Sequence, residues 1–203
     1  MTPPAHSPAR TLSTADVRRE AVIEAAMHLF ARTGMHTSTL AVAKAAGISQ
    51  AYLFRLFPTK DDLVVAVARR CHDRIHDTFA AVIAQAARAG EDPLAAMGAS
   101  YVELMGDREL LTLQLHTQAA SIQDEAVRDV SREAFRRLVG LIRDRTDATD
   151  EQIKLFMAHG MLINVMTAID AGAVDEDWAR IIARPGPPDA DCCRPPLFCR
   201  LDE

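Results

Sequence analysis

Two closely spaced helix breaks, at Gly47 and Pro58, constrain the fold more than any other feature of the sequence. The segments beside them, residues 40–46 and 50–57, have helical composition, but each is only about two turns long. Ser49 is a favourable N-cap for the second segment, and Gly47 can adopt the positive φ that a tight turn requires. Two short helices joined by such a turn predict a helix-turn-helix, whose second helix can enter the major groove of DNA.

The rest of the chain also has helical periodicity, which predicts an all-α fold. Apolar residues make up 49% of the 203 residues and aromatic residues only 5%, a balance that favours helix over sheet. A capping box formed by Thr59 and Asp62 marks the start of one long helix. The predicted helices span approximately residues 14–33, 40–46, 50–57, 59–90, 93–105, 109–120, 124–145, 151–170 and 175–182.

The charge is distributed unevenly along the chain. Residues 1–60 carry seven Lys or Arg against three Asp or Glu, a net charge of +4, although the whole chain has a net charge of -5. The remaining residues therefore carry a net charge of -9. A basic N-terminal segment on an acidic body is typical of a module that binds a polyanion and is attached to a separate regulatory domain.

These patterns predict four parts of the chain. Residues 1–13 are rich in Pro, Ser and Thr and are expected to be a disordered arm, and residues 14–60 form the helix-turn-helix domain. Residues 61–184 form a helical domain for ligand binding and dimerisation, and residues 185–203 form a flexible tail rich in Pro and Cys. No apolar run suits a membrane span or a signal peptide, so we expect a cytoplasmic protein. Its four cysteines are then reduced thiols: Cys71, Cys192, Cys193 and Cys199.

Residues 17–63 resemble the DNA-binding domain of the TetR family of transcriptional regulators. The matching motifs are "AAMHLFARTG", "TSTLAVAKAAGIS" and "LFRLFPTKDDL", in that order. The resemblance covers the first third of the chain; the remainder is similar to the family only in size, helical content and order. It implies a homodimeric repressor that binds a palindromic DNA operator and is released by a small apolar or amphipathic molecule. It implies no cofactor and no enzymatic activity.

The resemblance assigns DNA contacts to three places in the motif: the start of the second helix, the third helix and the start of the fourth. By residue type, Gln can bind adenine, Arg guanine or phosphate, and Tyr a thymine methyl group or phosphate. Phe54 replaces a tyrosine that usually donates to phosphate, and Leu56 replaces a histidine or tyrosine. The aromatic residues of the third helix are therefore expected to have two roles. Phe57, and Phe54 in part, anchor the helix on its scaffold, whereas Tyr52 contacts DNA. The predicted DNA-binding residues are Thr39, Gln50, Tyr52, Arg55 and Lys60.

Methionines and a few polar residues of the C-terminal domain suit an adaptable ligand pocket. Ordinary core packing is the alternative for each of them. The predicted pocket residues are Met97, Tyr101, Met105, His116, Met157, His159, Met161 and Asn164. The eighth predicted helix is apolar nearly all round and must be buried, inside the domain or between two subunits. The predicted core or dimer-interface residues are Phe135, Leu138, Ile153, Phe156, Leu162 and Val165.

Other functions have less support in the sequence. His72 and His76 have the i, i+4 spacing of a metal-binding pair, but we interpret them as solvated helix residues and predict no metal site. A redox role for the tail cysteines is a further alternative. A helical enzyme or small-molecule-binding protein without a DNA role would use His116 or His159, but no nucleophile motif or phosphate-binding loop accompanies them. A DNA-binding dimer without an effector also stays open.

Overall fold

Residues 14–183 are described by the computed structural model of the chain. The predicted N-terminal arm and the predicted tail, with Cys192, Cys193 and Cys199, lie outside the described residues. Within residues 14–183 the chain forms nine α-helices and one short 3₁₀ helix and no strand, so the predicted all-α fold is confirmed. The helices are α1 (Thr14–Thr33), α2 (Thr39–Ala45), α3 (Gln50–Leu56), α4 (Lys60–Ala89), α5 (Pro93–Met105), α6 (Arg108–Gln123), α7 (Glu125–Arg145), α8 (Asp150–Ala168) and α9 (Asp177–Ala183), with the 3₁₀ helix (Ala171–Ala173) between α8 and α9.

The helix starts follow the local capping signals of the sequence. The side chains of Ser38 and Ser49 accept hydrogen bonds from backbone amides in the first turns of α2 and α3. Thr59 and Asp62 form the predicted capping box at the start of α4. Asp92 caps α5, which begins with a proline at its first position. Because these signals are local, the sequence predicted the helix starts to within about two residues.

Helices α1 to α3 pack around a small apolar core. Phe30 of α1, Leu53 of α3 and Phe57 just after α3 are all completely buried. The Arg19 guanidinium lies 4.0 Å above the centre of the Phe57 ring and also donates a hydrogen bond to the carbonyl oxygen of Leu56. These contacts fix the end of α3 against α1.

Helix α4 joins this N-terminal bundle to the rest of the chain. Its apolar face runs from Leu63 at one end to Ile83 near the other and contacts α1, α5, α6 and α7. Arg70 of α4 pairs with Glu20 and Glu24 of α1. Cys71, on the same helix, is fully buried, and this burial raises the pKa of its thiol to about 12. Helix α4 is therefore held by side chains from both parts of the fold.

Helix α8, for which burial inside the domain or between two subunits was predicted, is only partly covered within one chain. Ile153 and Phe156 are buried, but Leu155, Val165 and the following Ile169 are 39%, 47% and 54% exposed. These three side chains are large and apolar; Leu155 and Val165 lie on α8, and Ile169 is its C-cap. One side of α8 is thus open to solvent in the single chain. None of the helices within residues 14–183 is long and apolar enough to cross a membrane.

Candidate nucleic-acid interface and ligand cavity

The turn between α2 and α3 is built on Gly47, which has a φ of +66°. An L-residue with a side chain is strained at this φ, whereas glycine is not. The backbone amide of Ile48 donates to the carbonyl oxygen of Ala43 at 3.0 Å and so closes the turn. No heavy atom lies within 4 Å of where a Cβ of residue 47 would be. The requirement for glycine is therefore conformational and not steric.

The side of α3 that faces away from the bundle is exposed. Arg55 is exposed, and its guanidinium carbon lies 5.6 Å from the centre of the half-buried Tyr52 ring. Phe54 is 40% exposed, so its side chain is only partly covered. Phe57 alone of the three aromatic residues is fully buried. The exposed side of α3 thus combines a cation, a phenol and an apolar ring, all three able to contact DNA.

The structure brings two more of the predicted DNA-binding residues together. The side-chain amide of Gln50 donates to the hydroxyl of Thr39 at 2.9 Å, which links the first turns of α2 and α3. Lys60 is the first residue of α4 and follows the Thr59 cap. Sequence reasoning did not single out Leu40, which is 61% exposed in the first turn of α2. Leu40 could have been identified from the sequence as an apolar residue on a surface that is otherwise predicted to be polar.

The comparison with protein families decides the type of this domain. Residues 22–67, from within α1 to within α4, match the family described as bacterial regulatory proteins, tetR family. The chain carries a TetR-family DNA-binding domain. This match supports a coarse function for the chain in transcriptional regulation.

Solved structures with the same fold extend over most of the chain, beyond the TetR-family domain. Salmonella enterica GusR is 19% identical with a TM-score of 0.64, covering 84% of this chain and 94% of that one. The multidrug binding protein EbrR complexed with imidazole is 24% identical with a TM-score of 0.62, covering 85% and 92%. A TetR-family member from Streptomyces coelicolor A3 is 25% identical with a TM-score of 0.60, covering 81% and 95%. The C-terminal helices therefore have the fold of known TetR-family proteins.

A cavity of about 60 Å³ lies among α4, α5, α6, α7 and α8. Its walls are mainly apolar, with polar groups from α4, α5, α6 and α7. The lining residues are His72, Ile75, His76, Phe79, Tyr101, Gln114, Ala134, Phe135, Arg137, Leu138, Phe156, Met157, Gly160 and Met161.

Three aromatic rings form one side of the cavity. The ring of Phe79 lies 5.7 Å from those of Tyr101 and Phe156, and it meets Phe156 edge to face. The Tyr101 hydroxyl donates to the Asn164 side-chain oxygen at 2.8 Å and accepts from the Gln114 amide at 2.9 Å. Burial raises the pKa of Tyr101, so the phenol is protonated at neutral pH. This side of the cavity is therefore internally hydrogen-bonded and uncharged.

His72 is the unpaired polar group of the cavity. Its Nε2 atom is buried without a hydrogen-bond partner. Burial lowers the pKa of the imidazole, a shift that the nearby Asp73 opposes and Arg137 supports. The interpretation of His72 as a solvated helix residue is therefore wrong, because its Nε2 atom is buried and its side chain lines the cavity. No group of three or more metal-ligating side chains occurs within residues 14–183.

The predicted pocket residues divide into two groups. Tyr101, Met157 and Met161 line the cavity, and Asn164 holds the Tyr101 hydroxyl. The other four do not line it. Met97 and Met105 are completely buried in the core. His116 on α6 has a buried Nδ1 atom without a partner, and the Nδ1 atom of His159 lies 2.8 Å from the carbonyl oxygen of Leu155. Sequence reasoning missed His72 and Gln114 as lining residues, since only the packing of α4 and α6 turns them inwards.

The predicted core or dimer-interface residues also divide. Ile153 and Phe156 are buried within the chain, and Leu162 is half-buried on α8. Two residues of α7 line the cavity, namely Leu138 and the 39% exposed Phe135. Val165, at 47% exposure, lies on the uncovered side of α8.

His72, whose Nε2 atom is buried, should make the fold sensitive to mild acid. The pKa of its imidazole is lowered in the folded state from the ordinary value of 6.5, which applies to the unfolded chain. Below that pH the unfolded chain binds a proton more readily than the folded one, so the stability contributed by the neutral imidazole is lost as the pH falls. Between pH 7.5 and 5.5 the wild type should lose more unfolding free energy than His72→Leu. Urea denaturation at both pH values measures the difference. Equal losses in the two proteins would contradict the assignment.

Proposed function

We propose that the chain is a dimeric, ligand-responsive repressor that binds a palindromic DNA operator and is released by a small molecule. The observation that carries the proposal is the position of α4. This helix begins beside the helix-turn-helix and forms a wall of the cavity further along its length. A molecule entering the cavity therefore acts on the same helix that supports α3.

DNA binding is assigned to residues 14–60. Leu53 and Phe57 hold α3 on its scaffold, so the outward side chains of α3 are kept in a fixed orientation. Tyr52 and Arg55 would contact base edges or phosphates from α3, with Thr39 and Gln50 beside them and Lys60 on a phosphate. The net charge of +4 in residues 1–60 supports this role.

Dimerisation is assigned to the uncovered side of α8 together with α7, within residues 61–184. A second copy of the chain would cover Leu155, Val165 and Ile169, which are large apolar side chains exposed on one helix. Symmetric pairing of α7 and α8 from two chains would form a four-helix interface. It would also present two α3 helices to successive major grooves, about 34 to 36 Å apart.

The effector response is assigned to the cavity. The similar protein EbrR has been crystallised with imidazole and with ethidium, which supports a ligand role for the corresponding domain here. A ligand shifts the population towards a released state only if it binds that state more tightly than the DNA-bound state. Displacement of α4 by the ligand would change the separation of the two α3 helices and so provide that difference.

Fluorescence anisotropy with the purified chain tests the proposal. The protein is titrated against the intergenic DNA beside its own gene and against scrambled DNA, at about 150 mM salt because affinity depends on salt. We expect preferential binding to the intergenic fragment, by about 1000-fold. Equal, weak binding to both would contradict operator recognition in that fragment and favour a helical binding protein without a DNA role.

A further inference from the structure

We propose that the cavity binds an uncharged, single-ring aromatic molecule whose hydroxyl group hydrogen-bonds to His72. This inference deepens the effector response proposed above and depends on it for its regulatory meaning. It depends on three properties of the cavity: aromatic walls, the absence of an available charge, and one unpaired polar atom.

The walls of the cavity favour an aromatic ring. Phe79 and Phe156 already meet edge to face at 5.7 Å, and a further ring can add to this arrangement in the same geometry. Met157 and Met161 face the same space, and thioethers make favourable contacts with ring edges. An aliphatic ligand would bury similar area but would gain none of these aromatic contacts.

The charges around the cavity disfavour an ion. None of the lining side chains is a carboxylate, so a cationic ligand would have no counterion in the wall. Arg137 is the one lining side chain with a permanent charge, and its guanidinium donates to the Asp73 carboxylate at 2.6 Å. An anionic ligand would have to compete with Asp73 for Arg137. An uncharged ligand avoids both costs.

His72 determines the polar group of the ligand. Tyr101 and Gln114 already hydrogen-bond to each other, and Tyr101 also bonds to Asn164. His72 lines the cavity, and its Nε2 atom is buried without a hydrogen-bond partner. A neutral imidazole offers a donor or an acceptor there according to its tautomer, and a hydroxyl group can satisfy either.

The size of the cavity limits the ligand to one ring. The free space of about 60 Å³ is less than the roughly 150 Å³ that holds benzene, so binding must enlarge it. Unbranched methionine side chains can reorient at little cost, and Met157 and Met161 are only partly covered. Ligand entry would thus separate α8 and α7 from α4, which is the movement that the effector response requires.

Isothermal titration calorimetry with three compounds of similar shape tests the inference. Benzyl alcohol is uncharged, benzoate is an anion and benzylammonium is a cation at pH 7.5. We expect the full-length protein to bind benzyl alcohol at least tenfold more tightly than either ion. Equal affinities, tighter binding of an ion, or no binding of benzyl alcohol at millimolar concentration would overturn the inference.

Substitution of His72 tests the hydrogen bond. We expect His72→Leu to weaken benzyl alcohol binding about tenfold, the effect of one lost hydrogen bond. His72→Phe removes the same polar atom with a ring of similar shape and gives the same comparison if the leucine variant does not fold. Thr117→Val is the matched control, because it removes a buried hydroxyl that has no partner but lies outside the cavity lining.

The outcomes separate this inference from the proposed function. The calorimetric assay contains no DNA, so unchanged benzyl alcohol affinity in both His72 variants overturns the ligand assignment and leaves operator binding unaffected. Normal ligand binding by a protein that fails the anisotropy test would instead contradict operator recognition in the intergenic fragment and leave the ligand assignment unaffected.

Discussion

Val165→Arg should convert the protein from a dimer to a monomer and reduce its affinity for operator DNA by at least about 100-fold. Val165 is 47% exposed in the single chain and lies on the uncovered side of α8. In a symmetric interface the substitution would bury two arginines without partners, which costs several kcal/mol. Loss of the dimer removes the simultaneous binding of two half-sites, and that linkage contributes about 10²- to 10⁴-fold to affinity. Analytical ultracentrifugation and anisotropy measure the two effects.

Ile122→Arg is the matched control for this experiment. Ile122 lies on α6 and is 77% exposed, so the substitution adds the same charge to an apolar surface position outside α7 and α8. We expect this variant to stay dimeric and to bind operator normally. A dimeric Val165→Arg protein would contradict the proposed interface on α8, and a monomeric Ile122→Arg protein would move the interface to α6.

The helix-turn-helix could be predicted from the sequence because its determinants are local. Ser49 caps α3, Gly47 supplies the positive φ of the turn, and the Thr59 capping box starts α4, all within a few residues of the helix ends that they determine. Such features need no knowledge of distant parts of the chain.

The cavity could be predicted only in part because long-range packing determines its lining. Met97 and Met157 are both methionines on apolar helices, yet one is in the core and the other lines the cavity. The difference depends on how α5 and α8 rotate against α4, which periodicity within one helix does not specify. His72 was misinterpreted for the same reason: its neighbours on α4 are polar, but its side chain lines the cavity that α4 shares with α7.

The solvent exposure of one side of α8 also could not be predicted from the sequence of that helix alone. Its apolar composition predicted burial correctly for Ile153 and Phe156. The same composition could not determine whether the residues that cover Val165 belong to the same chain or to another, because the side chain would have apolar surroundings in both cases. The exposure in the single chain is what favours a second copy.

Arg55→Ala and Tyr52→Ala should each weaken specific operator binding by about 1 to 3 kcal/mol, or roughly 5- to 150-fold, without unfolding the protein. Both side chains lie on the outward side of α3, and the Arg55 guanidinium stacks near the Tyr52 ring, so truncation of either loosens the other. The core beneath them, with Leu53 and Phe57 fully buried, is unchanged. Anisotropy measures affinity, and thermal melting verifies the fold.

The salt dependence of these variants distinguishes the kind of contact that each residue makes. If Arg55 binds a phosphate, Arg55→Ala lowers affinity similarly for all sequences and reduces the slope of log K against log salt by about one. If it binds a guanine, the loss is confined to the operator. Arg88→Ala is the control, because it removes the same charge far from α3. Arg88 is exposed in the last turn of α4, and at 1.5 Å per residue it lies about 42 Å along the helix from Lys60. Unchanged operator affinity in both α3 variants, or an equal loss in Arg88→Ala, would contradict recognition through the outward side of α3.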